Sequence, residues 1–299
     1  MAHDQPARLN ALLAQLQGYE IFLHIDKDVN LRKYISAINP IYLKNVLVLQ
    51  DAERSRGTWG GYSLVNIMLQ LIKKFVTESK DDGPIVFLSG QDFPIKPVAE
   101  FVNYLKTKSD FVSLKEIDFE KWNRGDTLEV SRINRVRNMH FREIRIFRKC
   151  KNRQSLRYKI GSVPNWILSN LRLPNLSFNP TSAYYLGSQW IGLSKESCRA
   201  IILRERDLRN EFRFTFCPDE IAIQTLLARL NLVGRETFKA KIGKFDPIID
   251  ADFHLIHPSL NYAWNLSDLK VIRESEKYFI RKPSGELLDF LFIDLNTST

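Results

Sequence analysis

Three observations predict an α/β fold in which a mostly parallel sheet carries helices on both faces. Short apolar segments alternate with amphipathic ones in a β-α-β-α-β order through residues 1–115, as in parallel strands joined by helical crossovers. The segment Pro84–Pro97 contains four consecutive apolar residues followed by Ser-Gly-Gln-Asp, which is typical of a buried strand that ends in a polar turn. A chain of 299 residues, 44% hydrophobic and 26% charged, is long enough for a single large domain.

The individual elements follow from the spacing of apolar residues. Leucines at helical intervals predict the first helix, and short apolar runs predict the strands. The predicted strands are Tyr19–Ile25, Val46–Leu49, Ile85–Leu88 and Asp110–Leu114, with further strand character at Ala183–Leu193. The predicted helices are Ala7–Gln17, a helix capped by Ser63, a helix from Pro97 to about Lys106, a helix that begins near Ser194, Asp219–Leu230 and Gly285–Ile293.

Composition excludes several classes of protein. No apolar run is long enough to span a bilayer, and the first six residues lack the features of a signal peptide, so we expect a cytoplasmic chain. Cys150, Cys198 and Cys217 show neither a disulfide framework nor metal-ligand spacing, and the five histidines form no zinc-binding pattern. Dinucleotide-binding, P-loop and GxSxG motifs are also absent from the sequence.

The net charge of +10 is concentrated in residues 132–159, where Glu143 is the only acidic residue. Such a segment predicts an anionic partner: a nucleotide sugar, a phospholipid surface or nucleic acid. A solvated basic face without a specific partner is the alternative. If lipid is the partner, the chain would bind peripherally at the inner face of the membrane.

Carboxylates at predicted strand ends and helix starts are the candidates for chemistry. Transfer of a sugar from a nucleoside diphosphate needs one carboxylate to accept the proton of the acceptor hydroxyl, and positive charge on the departing diphosphate. Alternatively, Asp92 caps an ordinary turn, Trp190 is a packed core residue, and the two acidic residues after Pro218 complement a helix dipole. The candidates are the carboxylates Asp26, Asp92, Asp219 and Glu220, the aromatics Trp59 and Trp190, and the cations Arg281 and Lys282.

Taken in order, the motifs resemble those of the core-2/I-branching β-1,6-N-acetylglucosaminyltransferase family (glycosyltransferase family 14), which includes the peptide O-xylosyltransferases. The most diagnostic segment is Leu88–Lys96, with the sequence LSGQDFPIK. The other similar segments are Ala2–Pro6, Phe22–Lys27, Trp59–Val65, Gly187–Ser194, Cys217–Glu220, His257-Pro258, Asp268-Leu269 and Phe279–Lys282.

The resemblance implies a GT-A-like fold, a UDP-sugar donor and inversion at the anomeric carbon, with no divalent metal and no other cofactor. It implies that Glu220 is the catalytic base. We expect the positive end of the following helix to keep this carboxylate ionised. The remaining expected roles are UDP binding by His3, Asp26, Lys282 and Arg281, and acceptor or cleft contacts by Asp92, Trp190, Asp219, Arg135 and Arg137.

The resemblance implies a single domain, 1–299, that has three parts. Residues 1–115 form the nucleotide-binding half, 116–182 a basic irregular excursion, and 183–299 the acceptor and catalytic half. The donor sugar is GlcNAc or xylose, and the acceptor is a glycan, a glycolipid or a polysaccharide hydroxyl. Nucleic acid is not an expected partner.

The sequence departs from the family pattern at three places. Ser259 stands where the family has an arginine that binds phosphate, so Arg281, Lys241 or Lys244 would have to supply that charge. Members of the family have an apolar strand before the segment that corresponds to Ala2-His3. Because Met1 directly precedes Ala2, we expect this strand to be absent from the sequence. The family's aromatic residue near 238–244 has no clear counterpart.

Two alternative functions fit parts of the sequence. A metal-dependent transferase would use Asp250-Ala251-Asp252 as its metal-binding motif, although this motif lies near the tail instead of after an early strand. A non-catalytic protein would bind nucleic acid or an anionic surface through the basic segment 132–159, in which aromatic residues are interleaved.

Overall fold

The fold is described from a computed structural model over residues 1–2, 5–143, 173–233, 251–257, 259 and 261–297. His3, Lys241, Lys244, Asp250, Cys150 and most of the basic segment lie outside this part of the chain. The helices are α1 (Pro6–Gln15), α2 (Leu31–Ile35), α3 (Ser63–Glu78), α4 (Val98–Leu105), α5 (Phe119–Asn123), α6 (Thr127–Arg137), α7 (Lys195–Leu203), α8 (Glu205–Phe212), α9 (Ala222–Arg229), α10 (Leu269–Arg273) and α11 (Gly285–Thr297).

The strands are short, and three 3₁₀ turns accompany them in the part of the chain that the structure describes. The strands are β1 (Ile21–Leu23), β2 (Val46–Val48), β3 (Ile85–Val86), β4 (Asp92–Pro94), β5 (Lys115–Glu116), β6 (Tyr185–Leu186), β7 (Gly192–Leu193), β8 (His254–Leu255) and β9 (Phe279–Arg281). The 3₁₀ turns lie at Pro40–Leu43, Pro218–Glu220 and Leu266–Asp268.

The α/β class is confirmed, but a mostly parallel sheet is not shown. Among the described strands, β1 pairs with β2 and β8 with β9 in parallel. The pairs β3–β7, β4–β9 and β5–β6 are antiparallel. Alternation of strands and helices predicts crossovers between consecutive strands, but it does not predict the direction in which strands far apart in sequence return to the sheet.

The core lies on both sides of these strands. On one side, α3 buries Val65, Met68, Ile72 and Phe75, as its apolar spacing predicts. On the other side, α1 and Phe101 of α4 belong to a second buried cluster. A third cluster joins α11 to β9. None of the helices in the described ranges has the length and apolar character needed to cross a bilayer.

Three local predictions differ from the structure. Ser63 is the first residue of α3 instead of its cap, and its hydroxyl accepts a hydrogen bond from the Thr58 amide. The predicted strand at Asp110–Leu114 is reduced to a single bridge between Phe111 and Gly192. The predicted helix Asp219–Leu230 is divided into the turn Pro218–Glu220 and α9, so Glu220 precedes the α-helix instead of lying in its first turn.

Candidate active site

The turn Pro218–Glu220 is held against two neighbouring segments of the chain. Cys217, which precedes it, has a left-handed backbone with φ of 50°, and its amide donates to the Gly60 carbonyl. Gly60 has φ of 72°, and a Cβ there would lie 2.7 Å from the Phe216 ring, so this close approach requires glycine. The Glu220 carbonyl accepts from the Gly187 amide at 2.9 Å. The acidic pair is therefore fixed by its backbone.

Glu220 forms an ion pair with Arg135 of α6. Arg135 Nη1 lies 2.7 Å from Glu220 Oε2, and both side chains are largely buried. The Arg135 guanidinium also lies over the Phe216 ring, with its Cζ 5.7 Å from the ring centroid. Because Arg135 and Glu220 lie 85 residues apart in sequence, the pair is formed only by the tertiary fold.

Burial and charge act in opposite directions on the pKa of Glu220. Burial raises this pKa above its ordinary value, while the charges of Arg135 and Arg281 and the hydrogen bond from Arg135 partly oppose the rise. Burial, together with the neighbouring Glu220 charge, raises the pKa of Asp219 to about 7. Arg135 and Arg281 are the charged side chains that lower the pKa of Glu220. The expected effect of the helix dipole stays a prediction.

Asp92 is the centre of a buried hydrogen-bond network. It is 2% exposed and accepts hydrogen bonds from the Ser89 amide, the Ser89 hydroxyl and Trp190 Nε1. His254 Nε2 lies 3.2 Å from the same carboxylate. Burial by itself would raise the pKa of Asp92, but His254 and the Ser89 hydrogen bonds hold it below its ordinary value. Trp190 is thus buried beside Asp92, and its Nε1 atom already donates to that carboxylate.

Arg281 lies between Asp92 and Glu220. It is opposite Asp92 in the β4–β9 register, and its guanidinium lies over the Trp190 ring at 5.0 Å. Burial lowers the pKa of Arg281, while the charges of Asp92 and Glu220 oppose this effect. Its buried Nε atom has no hydrogen-bond partner among the described residues. The next residue, Lys282, has φ of 60°, and its backbone bonds to Gln91 and Trp264.

Asp26 follows β1 on another side of this region. Its carboxylate accepts from the Gly57 amide at 2.7 Å and from the Asp28 amide at 2.8 Å. Arg54 is 3% exposed, and its guanidinium donates to the carbonyls of Ile25 and Asp26. The loop that begins at Gly57 continues to Gly60, which contacts Cys217, so one short loop connects the Asp26 region to the acidic turn.

The structure brings together most of the residues that the sequence predicts. Glu220, Asp219, Arg135, Arg281, Asp92 and Trp190 form one contiguous group. Arg137 is exposed, and its carbonyl accepts from the Asn175 amide. Ser259 is exposed, and its amide donates to His257 Nδ1. His3 lies outside the described residues, so its predicted role stays a prediction.

Sequence reasoning missed two buried residues of this region, His254 and Arg54. His254 stands alone in the apolar run Phe253–Leu255, where no metal-ligand spacing marks it. Arg54 lies in a polar segment whose cations look exposed. Both residues are distinguished by their buried contacts in the fold. For His254 the sequence offered one signal, a single polar residue within an apolar strand; for Arg54 it offered none.

A metal-binding group is not found within the described ranges. No cluster of three or more His, Cys, Asp or Glu side chains there has a geometry that could hold an ion. Of the Asp-Ala-Asp motif, Asp252 forms an ion pair with Lys108 at 2.6 Å and accepts from the Tyr104 hydroxyl. Asp250 lies outside the described residues. Cys198 and Cys217 are buried free thiols.

Comparison with known proteins supports the resemblance seen in the motifs. A search of curated proteins finds no match to this chain. The family model for Core-2/I-Branching enzymes matches residues 7–246, which include nearly all of α1, Asp92 with its partners Ser89 and Trp190, and the acidic turn. The match extends over well more than half of the 299 residues. The chain therefore belongs to the Core-2/I-Branching enzyme family, a family of glycosyltransferases.

Proposed function

We propose that the protein is an inverting glycosyltransferase with a GT-A-like domain, which transfers GlcNAc or xylose from a UDP-sugar to a glycan, glycolipid or polysaccharide hydroxyl without a divalent metal. Family membership supports a nucleotide-sugar donor and a glycan acceptor. The observation that carries the proposal is the largely buried Glu220 carboxylate, ion-paired with Arg135 and close to the charge of Arg281. This arrangement combines a base with positive charge in one place.

In the proposed reaction the acceptor hydroxyl oxygen attacks the anomeric carbon from the face opposite the diphosphate. A bond forms between that oxygen and the anomeric carbon, and Glu220 accepts the hydroxyl proton. The bond from the anomeric carbon to the β-phosphate oxygen breaks, and its electron pair leaves with UDP. The configuration at the anomeric carbon is inverted because attack and departure occur on opposite faces.

Arg281 and Lys282 would neutralise the charge that develops on the departing UDP. Arg281 suits this role because its buried Nε has no hydrogen-bond partner within the described residues, while its charge already offsets Asp92 and Glu220. Arg281 would thereby supply the positive charge of the phosphate-binding arginine that the family has at the position of Ser259. Asp26 would bind the uridine side, where its carboxylate is fixed by two backbone amides.

Asp92 and Trp190 would form the floor of the proposed cleft. Their hydrogen bond, 2.9 Å from Trp190 Nε1 to Asp92 Oδ2, is buried, so both residues support the site from below. Arg135, expected from the family resemblance to contact the acceptor, donates a hydrogen bond to Glu220. We therefore propose that Arg135 sets the position and the pKa of the base.

Replacing Arg135 with methionine should move the acidic limb of the pH–rate profile to higher pH. Arg135 lowers the pKa of Glu220, so its removal lets burial raise that pKa further. A charge this close changes a carboxyl pKa by about one unit or more. The measurement is kcat against pH, with Arg209→Met on the exposed face of α8 as the control. An unchanged profile would contradict the assigned role.

A panel of UDP-sugars tests the proposed function directly. Release of UDP from UDP-GlcNAc or UDP-xylose is followed with and without EDTA, and binding of UDP is measured by calorimetry at two salt concentrations. We expect turnover of one donor that EDTA leaves intact. Turnover that EDTA abolishes would instead support a metal-dependent transferase. Binding of duplex DNA with steep salt dependence, together with no UDP binding, would favour the nucleic-acid alternative.

A further inference from the structure

A strip of arginine and aromatic side chains adjoins the acidic turn on the side of Arg135. Two segments of the chain lie next to each other here. The Phe216 amide donates to the Arg135 carbonyl at 2.9 Å, and the His140 amide donates to the Phe214 carbonyl at 2.7 Å. These bonds hold residues 213–216 beside the end of α6 and the residues that follow it. The strip consists of Trp59, Phe141, Arg142, Arg213, Phe214 and Phe216.

Each arginine of the strip lies against an aromatic ring. Arg142 Cζ is 4.7 Å from the centroid of the Phe216 ring and 5.6 Å from that of Trp59. Arg213 Cζ is 5.2 Å from the centroid of the Phe214 ring. A ring positions a guanidinium without neutralising it, and the N–H groups along the edge of the guanidinium stay available to an anion. The strip therefore holds positive charge in a fixed place.

The positive charge of the strip is not balanced within the part of the chain that the structure describes. Neither Arg142 nor Arg213 forms an ion pair with a carboxylate of the described residues. Glu143 is adjacent to Arg142 in sequence, but its carboxylate accepts a hydrogen bond from the Ser63 amide at the start of α3. The acidic residue nearest in sequence is thus used by a helix, and the two guanidinium groups are left for a ligand.

Two guanidinium groups, those of Arg142 and Arg135, lie against the same Phe216 ring. Both charges also act on His140, whose ring centroid is 5.3 Å from that of Phe216: burial lowers the pKa of His140, and the charges of the two arginines act in the same direction. Glu220 is ion-paired with Arg135 alone, so an excess of positive charge remains beside Phe216. Like charges this close repel each other, and an anion bound at Arg142 would relieve the repulsion.

Trp59 adds an exposed aromatic surface at the same place. The residue is 64% exposed, and its ring packs edge-on against Phe216 with 5.5 Å between the ring centroids. Its loop is fixed, because the carbonyl of the next residue, Gly60, accepts from the Cys217 amide. An exposed ring beside a guanidinium suits a charged sugar: the C–H groups of the sugar pack on the ring, and its acidic group bonds to Arg142.

Two separate groups of cations adjoin Glu220. Arg281 belongs to β9, and its charge acts on Glu220. The strip adjoins Glu220 from other elements, because Arg135 of α6 contacts both Glu220 and Phe216. In a displacement with inversion the diphosphate and the acceptor lie on opposite faces of the anomeric carbon, so one group of cations does not serve both. Since Arg281 suits the diphosphate, the strip is left for the acceptor.

We propose that the strip binds an acidic sugar, so that the acceptor is an anionic glycan with a sugar carboxylate close to the hydroxyl that attacks. The assignment of this sugar to the acceptor rests on the proposed function, because it requires Glu220 to be the base. Arg142 would donate two N–H groups to the carboxylate, whose planar shape matches the edge of a guanidinium. A carboxylate is attached to a sugar ring without a flexible ester link, so it suits two side chains, Trp59 and Arg142, that are held at a fixed separation.

Matched oligosaccharides test this proposal by calorimetry. The probes are hexasaccharides of hyaluronan and of polygalacturonate, each compared with its carboxyl-reduced form, which keeps the rings and lacks the charge. We expect at least one acidic form to bind about tenfold or more tightly than its reduced form, with a smaller difference at high salt. Arg142→Met should remove most of this preference, and Arg32→Met on the exposed face of α2, which removes the same charge elsewhere, should keep it. Trp59→Leu should weaken binding of both forms, because packing on the ring does not depend on the carboxylate.

Equal affinity for the acidic and reduced forms of both oligosaccharides, or a preference that persists in Arg142→Met, would overturn the proposal. A loss of UDP affinity in Arg142→Met would assign the strip to the donor diphosphate. Tighter binding of a glutamate decapeptide or of phosphatidylglycerol vesicles would assign it to a peptide or a membrane, and either result contradicts the proposal. Charge-dependent binding of an oligosaccharide by a chain that does not bind UDP would retain the acidic-sugar site and contradict the proposed transferase alone.

Discussion

Glu220→Gln is expected to remove nearly all transferase activity while leaving UDP affinity unchanged. The amide has the shape of the carboxylate and can still accept the hydrogen bond from Arg135 Nη1, now 2.7 Å from Glu220 Oε2. It cannot accept the proton of the acceptor hydroxyl. Loss of a positioned general base costs about 10²- to 10⁴-fold in rate. The measurements are kcat with the preferred donor and the Kd for UDP.

Asp219→Asn provides the matched control for this substitution. Asp219 is buried beside Glu220, its pKa is raised to about 7, and its Oδ1 has no hydrogen-bond partner among the described residues. It should therefore carry a proton for much of the time at neutral pH, and its replacement should reduce kcat far less. Equal losses in the two variants would contradict the assignment of Glu220 as the base, and a lowered Tm in Glu220→Gln alone would indicate a structural effect.

Lys282→Met is expected to weaken binding of UDP by roughly 30-fold, which corresponds to about 2 kcal/mol for a lost hydrogen bond to a charged group. Methionine keeps the length of the side chain and removes its charge. The backbone of Lys282 is held by Gln91 and Trp264, so the segment should keep its conformation. Calorimetric titration with UDP and with uridine separates the diphosphate contribution from that of the nucleoside.

Lys270→Met on α10 is the control, because the Lys270 side chain is exposed and its Nζ lies 4.0 Å from Glu274 Oε1 on the same surface. It should leave UDP affinity unchanged. The affinity for uridine should be the same in all three proteins. A loss of uridine binding in Lys282→Met would mean that the residue supports the nucleoside pocket, and unchanged UDP binding would shift the diphosphate role to Arg281.

Much of the helical structure could be predicted from the sequence because it depends on local spacing. The apolar face of α3 and the helices α1, α4 and α11 lie close to their predicted positions. The strands were predicted longer than they are, and the sheet was predicted to be mostly parallel, whereas three of the five strand pairs in the described residues are antiparallel. An apolar run specifies burial, but pairing depends on which distant segment lies beside it, as for β9 between β4 and β8.

The family and the acidic pair Asp219-Glu220 could be recognised without the fold, because motif order and side-chain chemistry are properties of the chain. The surroundings of the carboxylates Glu220 and Asp92 depend on the tertiary structure. Arg135 comes to Glu220 from 85 residues away, and His254 comes to Asp92 from 162 residues away. These contacts set the pKa values of Glu220 and Asp92 through burial and charge. Both effects depend on the packed environment and not on neighbours in sequence.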